Sequence, residues 1–218
     1  MNSLFEYILD LIYPPKCSFC RKVTDKGMDG VCPVCRQKLP HLTEQDRRRI
    51  LDGGFICLSP LEYDGFVRDS FLRYKFGGFT SYADTYSKIL AGCVKNCGLC
   101  FDLVTWVPLS KTRKRKRGYD QAELLAKGVS DLLGLDCRGI LYKNKETGVQ
   151  SLTGGRTERK RNVKGAFSVI DEGDVKGRNI LIIDDIVTTG ATLSECCEVL
   201  KRSGAESITA AAFASAAN

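Results

Sequence analysis

Apolar residues recur at helical spacing at Leu4, Ile8, Leu11 and Ile12, just ahead of Pro14-Pro15. That spacing predicts a short docking helix with one apolar face, which must stop before the prolines because they lack the N–H that a helix interior needs. The stretch HLTEQDRRRILDGG is polar and ends in glycines, so a linker is expected near residues 41–54, closing a head over 1–54 and opening a main domain over 55–218. Within the main domain FICLSPLEYDG predicts a strand and turn, and FVRDSFLRYKFGG a helix stopped at Gly77-Gly78. SYADTYSKILAGCVKNCG has helical periodicity, DLVTWVPL is a buried strand ending at Pro108, and QAELLAKGVSDLLGL is an amphipathic helix. GILY and NILII are further strands, ECCEVLKRSGA is a helix, and SITAAAFA is a last strand. Strands alternating with helices predict a parallel sheet covered on both faces.

Composition narrows the class. Of 218 residues 43% are hydrophobic and 27% charged, a globular balance, and no apolar run approaches the roughly 20 residues a membrane helix needs. No membrane insertion is therefore expected. Glu6 and Asp10 interrupt the N-terminal apolar pattern and no basic leader precedes it, so a cytoplasmic location is expected rather than secretion. Eleven cysteines at unequal spacings argue against a disulfide framework and for metal ligands plus reduced thiols. The net charge of +7 favours anionic partners, without separating nucleic acid from a phosphorylated metabolite.

Four of the cysteines form a doubled pair, Cys17-Ser-Phe-Cys20 and Cys32-Pro-Val-Cys35. Each CxxC turn brings two thiolates to one ion, and four thiolates suit tetrahedral structural Zn²⁺. A small treble-clef or ribbon-like unit follows, too short to bury a core of its own, so the metal would supply much of its folding free energy. His41, the only histidine, is expected at the surface. Cys93, Cys97 and Cys100 lack an evident fourth partner and are read as helix-end residues, and Cys57, Cys196 and Cys197 as packing residues.

The stretch ILIIDDIVTTGAT, residues 180–192, carries the candidate chemistry. Asp184 and Asp185 fall at the carboxyl end of a central strand, where open α/β sheets bind ligands. Thr188, Thr189, Gly190, Ala191 and Thr192 can wrap a phosphate, since glycine permits close approach and backbone N–H groups converge, with a helix starting near Ala191 behind them. Acid beside phosphate suits a sugar phosphate, the carboxylates taking ribose hydroxyls and the loop the 5′-phosphate.

This stretch resembles the PRPP-binding motif of type I phosphoribosyltransferases. Together with the four-cysteine head, YKFGG at 74–78, VPLSKTRKRKRGYDQAELLA at 107–126 and QSLTGGRTERKRNVKGAF at 150–167, it resembles the ComF family, in particular its ComFC type. Tyr119-Asp120 departs from the family's usual Phe-Asn before Gln121, and the cysteine-rich segment 93–100 is a second departure. The resemblance implies an α/β fold of the type I phosphoribosyltransferase kind, a parallel sheet flanked by helices, with a small N-terminal zinc-binding unit. It further implies PRPP bound with Mg²⁺, Asp184 and Asp185 as catalytic residues, and a role in natural competence and DNA uptake. The acceptor of any transferase reaction is not named by it, and a non-catalytic module binding single-stranded DNA or a helicase is the competing expectation. Gln121, Gln150, Arg159 and Asn162 match family positions with no role legible from spacing.

The basic segment LSKTRKRKRGYDQ sets Lys111, Arg113, Arg115 and Arg117 directly after a strand end. A pyrophosphate loop or flap, a solvated charge run, and a grip on nucleic acid with Tyr119 to stack and RTERKRNVK at 156–164 to extend it all remain open. Lys75 sits at a helix end, where its ammonium suits a phosphate or the last helix carbonyls. Partners expected on these grounds are PRPP or another ribose 5-phosphate ligand, single-stranded DNA, and a competence helicase or recombination mediator.

Overall fold

The computed structural model describes residues 14–25, 27–144 and 163–216. The helix expected over residues 4–12, Gln150, Arg159, Asn162 and residues 156–162 of the second basic tract lie outside the described residues. In chain order the strands are β1 (Arg48–Ile50), β2 (Ile56–Leu58), β3 (Leu61–Glu62), β4 (Leu103–Trp106), β5 (Asp136–Cys137), β6 (Leu141–Lys143), β7 (Phe167–Val169), β8 (Asn179–Val187) and β9 (Ser207–Ser215). The helices are α1 (Pro33–Lys38), α2 (Gly65–Phe76), α3 (Tyr82–Lys95), α4 (Lys111–Arg117), α5 (Gln121–Leu133) and α6 (Ala191–Arg202).

Strand β8 is central because both of its edges are paired. Ile180 to Ile183 lie parallel to Leu103–Trp106 of β4 on one side, while β9 runs parallel along the other. The main sheet has the order β1-β2-β9-β8-β4-β5, with β3 also on β9, and only the β1–β2 pair is antiparallel. Side chains alternate across it as strand geometry requires. Leu181, Ile183, Ala211 and Phe213 pack into the core that holds α2, α3 and α5, while Ile180, Ile182, Ala210 and Ala212 pack into the core that holds α6. Burial on both faces explains the unbroken apolar run that ends at Ile183.

Several expectations change in detail. FICLSPLEYDG makes two short strands on the same edge of β9, residues 56–58 against 209–211 and 61–62 against 214–215. The break falls at Ser59-Pro60, where proline cannot donate to the ladder. The expected linker at 41–54 carries β1, which pairs with β2. GILY is not a strand of the main sheet: β6 pairs antiparallel with β7, with Leu141 buried and Tyr142 exposed. One-sided burial of this kind suits a two-stranded antiparallel pair lying on the second face, not a strand sandwiched between helices.

Helix starts follow their caps. The Asp64 carboxylate accepts the Val67 N–H at 2.8 Å to start α2, and the Asp120 carboxylate accepts the Ala122 and Glu123 N–H groups to start α5. No described helix is long and apolar enough to cross a membrane.

Candidate active site and metal centre

β4 stops at Trp106, opposite Ile183, so β8 continues beyond it with one edge open, and Asp184, Asp185 and Ile186 are half-buried there. The pair is fixed by its own backbone: Asp184 Oδ1 accepts the Asp185 N–H at 2.8 Å and Asp185 Oδ1 accepts the Ile186 N–H at 2.6 Å. Burial, and then the charge of Asp185, push the Asp184 carboxyl well above the usual carboxylate range, while Lys75 pulls the other way. Lys75 Nζ stands 3.7 Å from Asp185 Oδ2, so its ammonium meets the acidic pair rather than the carbonyls ending α2.

The threonine loop turns on Gly190, whose φ of 77° lies in the left-handed region. A Cβ there would stand 2.6 Å from Leu51 Cδ2. Helix α6 begins at Ala191, the Thr189 hydroxyl accepts the Ala191 N–H at 3.4 Å, and Arg49 of β1 donates to the Thr188 carbonyl at 2.6 Å. Thr188 is exposed, Thr189 and Thr192 are half-buried, and Gly190 and Ala191 are buried. Replacing Gly190 with valine should therefore cost about 1–3 kcal/mol through backbone strain, with the Leu51 clash added. Urea unfolding measures that loss, and an unchanged midpoint would show that the loop adapts.

The acidic pair opens on a cleft of about 230 Å³ whose walls include Lys75, Arg113, Arg117, Asp184, Asp185 and, from the threonine loop, Thr192, while Thr188, Thr189, Gly190 and Ala191 do not line it. The basic segment reaches it as a helix, not a loop. Ser110 Oγ accepts the Arg113 N–H at 3.4 Å to start the seven-residue α4, and Gly118, at φ 81°, ends it. Spacing of i, i+4 then sends Arg113 and Arg117 to one side. Lys111 and Arg115 are exposed and do not line the cleft. Arg117 donates to Gln121 Oε1 at 2.9 Å, and its guanidinium lies 5.2 Å from the Phe76 ring centre. Tyr119 donates its hydroxyl to the Tyr74 carbonyl and packs against the core, which removes it as a stacking platform.

Three cleft residues escape a reading by pattern: Asp120, Lys143 and Phe167. Asp120 accepts the Leu109 N–H at 2.9 Å as well as capping α5, and its burial raises the carboxyl pKa. A helix cap ahead of QAELLAK is the signal by which it could have been found. Lys143 sits 5.3 Å from the Phe167 ring centre, and burial followed by the charge of Arg113 lowers its ammonium pKa. It ends a strand of three residues, which leaves no periodic signal.

Away from the cleft, the sulfurs of Cys17, Cys20, Cys32 and Cys35 lie within 4.8 Å of one another, the one such cluster among the described residues. Four sulfurs at that spacing fit a tetrahedral zinc ion. Arg21 and Asp29 take left-handed φ values of 65° and 51°, which tighten the turns around the site. Burial opposes ionisation of Cys17, yet N–H groups of Cys20, Cys32 and Phe19 directed at its sulfur bring it down to about 7. Burial, then contacts with the sulfurs of Cys32 and Cys20, push the Cys35 thiol up. A ligand set with one thiol already poised to ionise suits a divalent ion. Cys93 and Cys97 are buried and Cys100 exposed, while Cys57, Cys196 and Cys197 are packed in the core.

Comparison with known proteins matches these two centres separately. Residues 107–218 match the phosphoribosyl transferase domain family and residues 8–46 the double zinc ribbon domain. Competence protein ComFC of Bacillus subtilis is 30% identical over 207 residues, covering 86% of this chain and 78% of its own. The chain belongs to the ComFC family. Other relatives match over a shorter stretch. DNA utilization protein YhgH of Escherichia coli K12 is 37% identical over 108 residues, and Competence protein F of Haemophilus influenzae 35% over 104. Those matches cover 49% and 47% of this chain and 46% and 45% of the relatives' own length, so the chain spans about half of them. Among solved structures, the glutamine PRPP amidotransferase of Bacillus subtilis aligns with 65% of this chain and 30% of its own, at 20% identity and a TM-score of 0.45, too slight a likeness to add to the above. The ComFC-type chain thus joins a phosphoribosyltransferase-type sheet to a four-cysteine unit of the structural zinc kind.

Proposed function

We propose that this chain binds PRPP with Mg²⁺ and transfers its ribose 5-phosphate to an acceptor, releasing pyrophosphate, as part of DNA uptake and transformation. One observation carries this reading: Asp184, Asp185, Thr192, Lys75, Arg113 and Arg117 line a single cleft at the open end of β8. The carboxylates accept ribose hydroxyls, and the 188–192 loop, with the α6 N-terminus behind it, holds the 5′-phosphate. As the C1–O bond to pyrophosphate breaks, charge grows on the departing oxygens, and Arg113, Arg117 and Lys75 are placed to offset it. Mg²⁺ bound with the pyrophosphate supplies further charge neutralisation. Residues 1–54 act as a structural head and 55–218 as the catalytic scaffold. Single-stranded DNA is assigned to the outer face of α4, where Lys111, Lys114, Arg115 and Lys116 are exposed, with a competence helicase or recombination mediator as the protein partner.

Calorimetric titration with PRPP and Mg²⁺, followed by addition of candidate acceptors, tests the first half. Saturable binding with acceptor-dependent pyrophosphate release is expected; no binding at millimolar PRPP overturns it, and binding without release across acceptors favours the non-catalytic module. DNA affinity should fall steeply with salt as counterions leave the phosphates.

The raised Asp184 carboxyl gives a pH test with two opposite slopes. The folded protein holds that proton more tightly than the unfolded chain. Asp184 therefore contributes full stability below the usual carboxylate range and loses it as pH rises through the raised value. Ligand affinity runs the other way, since sugar hydroxyls need an ionised acceptor. Melting curves across a pH series should show the stabilisation by PRPP and Mg²⁺ growing over the window in which the unliganded protein weakens. Parallel slopes would separate the ligand from Asp184.

A further inference from the structure

A second cavity, of about 340 Å³, lies between the cysteine unit and α3, and it shares no residue with the cleft at β8. Its polar wall is supplied by three separate segments: Arg36 from α1, His41 and Arg47 from the strap that follows, and Lys88 from α3. Val31, Leu39, Pro60 and Ile89 add apolar lining. Three permanent cations thus face one carboxylate, Asp29, which holds Lys88 at 3.0 Å. Lys88 also meets Asp84 at 3.1 Å, so its charge is largely answered locally and the two guanidiniums dominate.

Each guanidinium is oriented by a single backbone carbonyl. Arg36 Nη2 donates to the Met28 carbonyl at 3.1 Å and Arg47 Nε to the Leu42 carbonyl at 2.9 Å. A guanidinium has five N–H donors in a planar fork, so one carbonyl aims it while leaving an edge for an anion. The fork matches phosphate oxygens in pairs, which a lysine cannot do. His41 lies at the surface as expected, and its partial burial, followed by the positive charge of Arg47, lowers the pKa of its imidazole. The volume falls in the range of small-molecule sites, about 300–1,000 Å³, and exceeds what a bare phosphate ion fills. The apolar lining suits a ligand with an uncharged body.

We infer that this cavity binds an organic phosphate of about nucleotide size, its phosphate against Arg36 and Arg47 and its body against Leu39 and Ile89. A free mononucleotide and the phosphorylated end of a single-stranded nucleic acid share this chemistry.

Gly92 provides a test that spares the fold. It lies on α3 and lines the cavity, and a Cβ added there meets nothing within 4 Å. Gly92→Phe therefore fills the space, while the loss of a mid-helix glycine favours the helix. The probes are thymidine 5′-monophosphate, inorganic phosphate and a 5′-phosphorylated thymidine pentamer, titrated into the zinc-loaded full chain. Thymidine monophosphate should bind the parent, and at least ten-fold more weakly to Gly92→Phe and to the Arg36→Gln/Arg47→Gln pair. Asp184→Asn/Asp185→Asn should bind it as the parent does, which keeps this site separate from the proposed sugar-phosphate cleft. A pentamer stronger than the monophosphate identifies a nucleic-acid end as the source, and equal binding identifies the free nucleotide. Unchanged affinity in Gly92→Phe, loss in the Asp184/Asp185 double variant, inorganic phosphate binding as tightly as the nucleotide, or no binding to the parent at millimolar concentration each overturns the assignment.

Discussion

Replacing Asp184 and Asp185 together by asparagine should abolish measurable PRPP binding in the presence of Mg²⁺ and leave the unliganded protein as stable as before or more so. The substitution is nearly isosteric, and an asparagine Oδ1 still accepts the N–H groups of Asp185 and Ile186 that Asp184 and Asp185 now hold at 2.8 and 2.6 Å. The end of β8 therefore keeps its shape. What disappears is charge. A hydrogen bond to a charged group contributes about 1.5–3 kcal/mol, so losing two such acceptors weakens a ribose ligand roughly 100-fold or more. Stability moves the other way because ionised Asp184 is disfavoured by burial and by its neighbour, and the amide removes that cost. The lost contact between Lys75 and Asp185, partly exposed at 3.7 Å, offsets little of this gain. Calorimetry with PRPP and Mg²⁺, paired with thermal melting of the same variant, reads both quantities. Retained affinity would falsify the assignment of the acidic pair to the sugar, and a large drop in melting temperature would mean that the pair serves the fold.

How far the sequence discloses this cleft depends on the physical origin of each part. Strand β8 and its loop are legible because burial on both faces demands four consecutive branched residues, and their sudden replacement by Asp184 and Asp185 marks the place where β4 ends. Helix α2 is legible through its stop at Gly77-Gly78 and α5 through its amphipathic pattern. Helix α4 is not, since six cations among its seven residues carry no hydrophobic period, and only Ser110 and Gly118 mark its ends. That helical turn is what separates Arg113 and Arg117 from Lys111 and Arg115. Strands β1, β5 and β7 are two or three residues long, below the length at which alternation can be seen. Arg49 and Lys143 come to the site on or next to such short pieces, which is why neither could be foreseen. The doubled CxxC announces a metal, whereas Ser18 and Phe19, lying between two ligands, look like spacer and turn out to be docking residues.

That docking sets the second large expectation: stripping zinc should lower the stability of the whole chain, not of the head alone. Cys17, Phe19, Val31, Cys35 and Leu39 belong to the same apolar core as Tyr74, Tyr86 and Phe213. Phe19 stacks on Phe66 with ring centres 5.4 Å apart, and Tyr86 stacks on Phe213 of β9 at 4.1 Å, so aromatic contacts run from the cysteine loop to the sheet. Polar ties accompany them. Ser70 Oγ donates to the Ser18 carbonyl at 2.6 Å, Arg73 Nη2 to the Phe19 carbonyl at 2.5 Å, and Ser18 Oγ to Thr85 Oγ1 at 3.0 Å. These groups face one another only while the knuckle between Cys17 and Cys20 holds its turn, and structural zinc in small fingers supplies about 10–16 kcal/mol to such a turn. Without the ion, α2 and α3 lose the cover over one side of their aromatic cluster, and half-buried Arg73 loses its carbonyl acceptors, at about 1–3 kcal/mol for a group left unpaired, while buried Ser70 keeps only its contact with the Tyr86 hydroxyl. Chelation, or Cys17→Ser and Cys32→Ser, should release zinc and shift the melting of helices and sheet together to lower temperature in a single transition. Since α2 also carries Lys75, PRPP affinity should fall in step with that shift. A main-domain melt that stays in place after zinc has been released would show that the head is an independent unit.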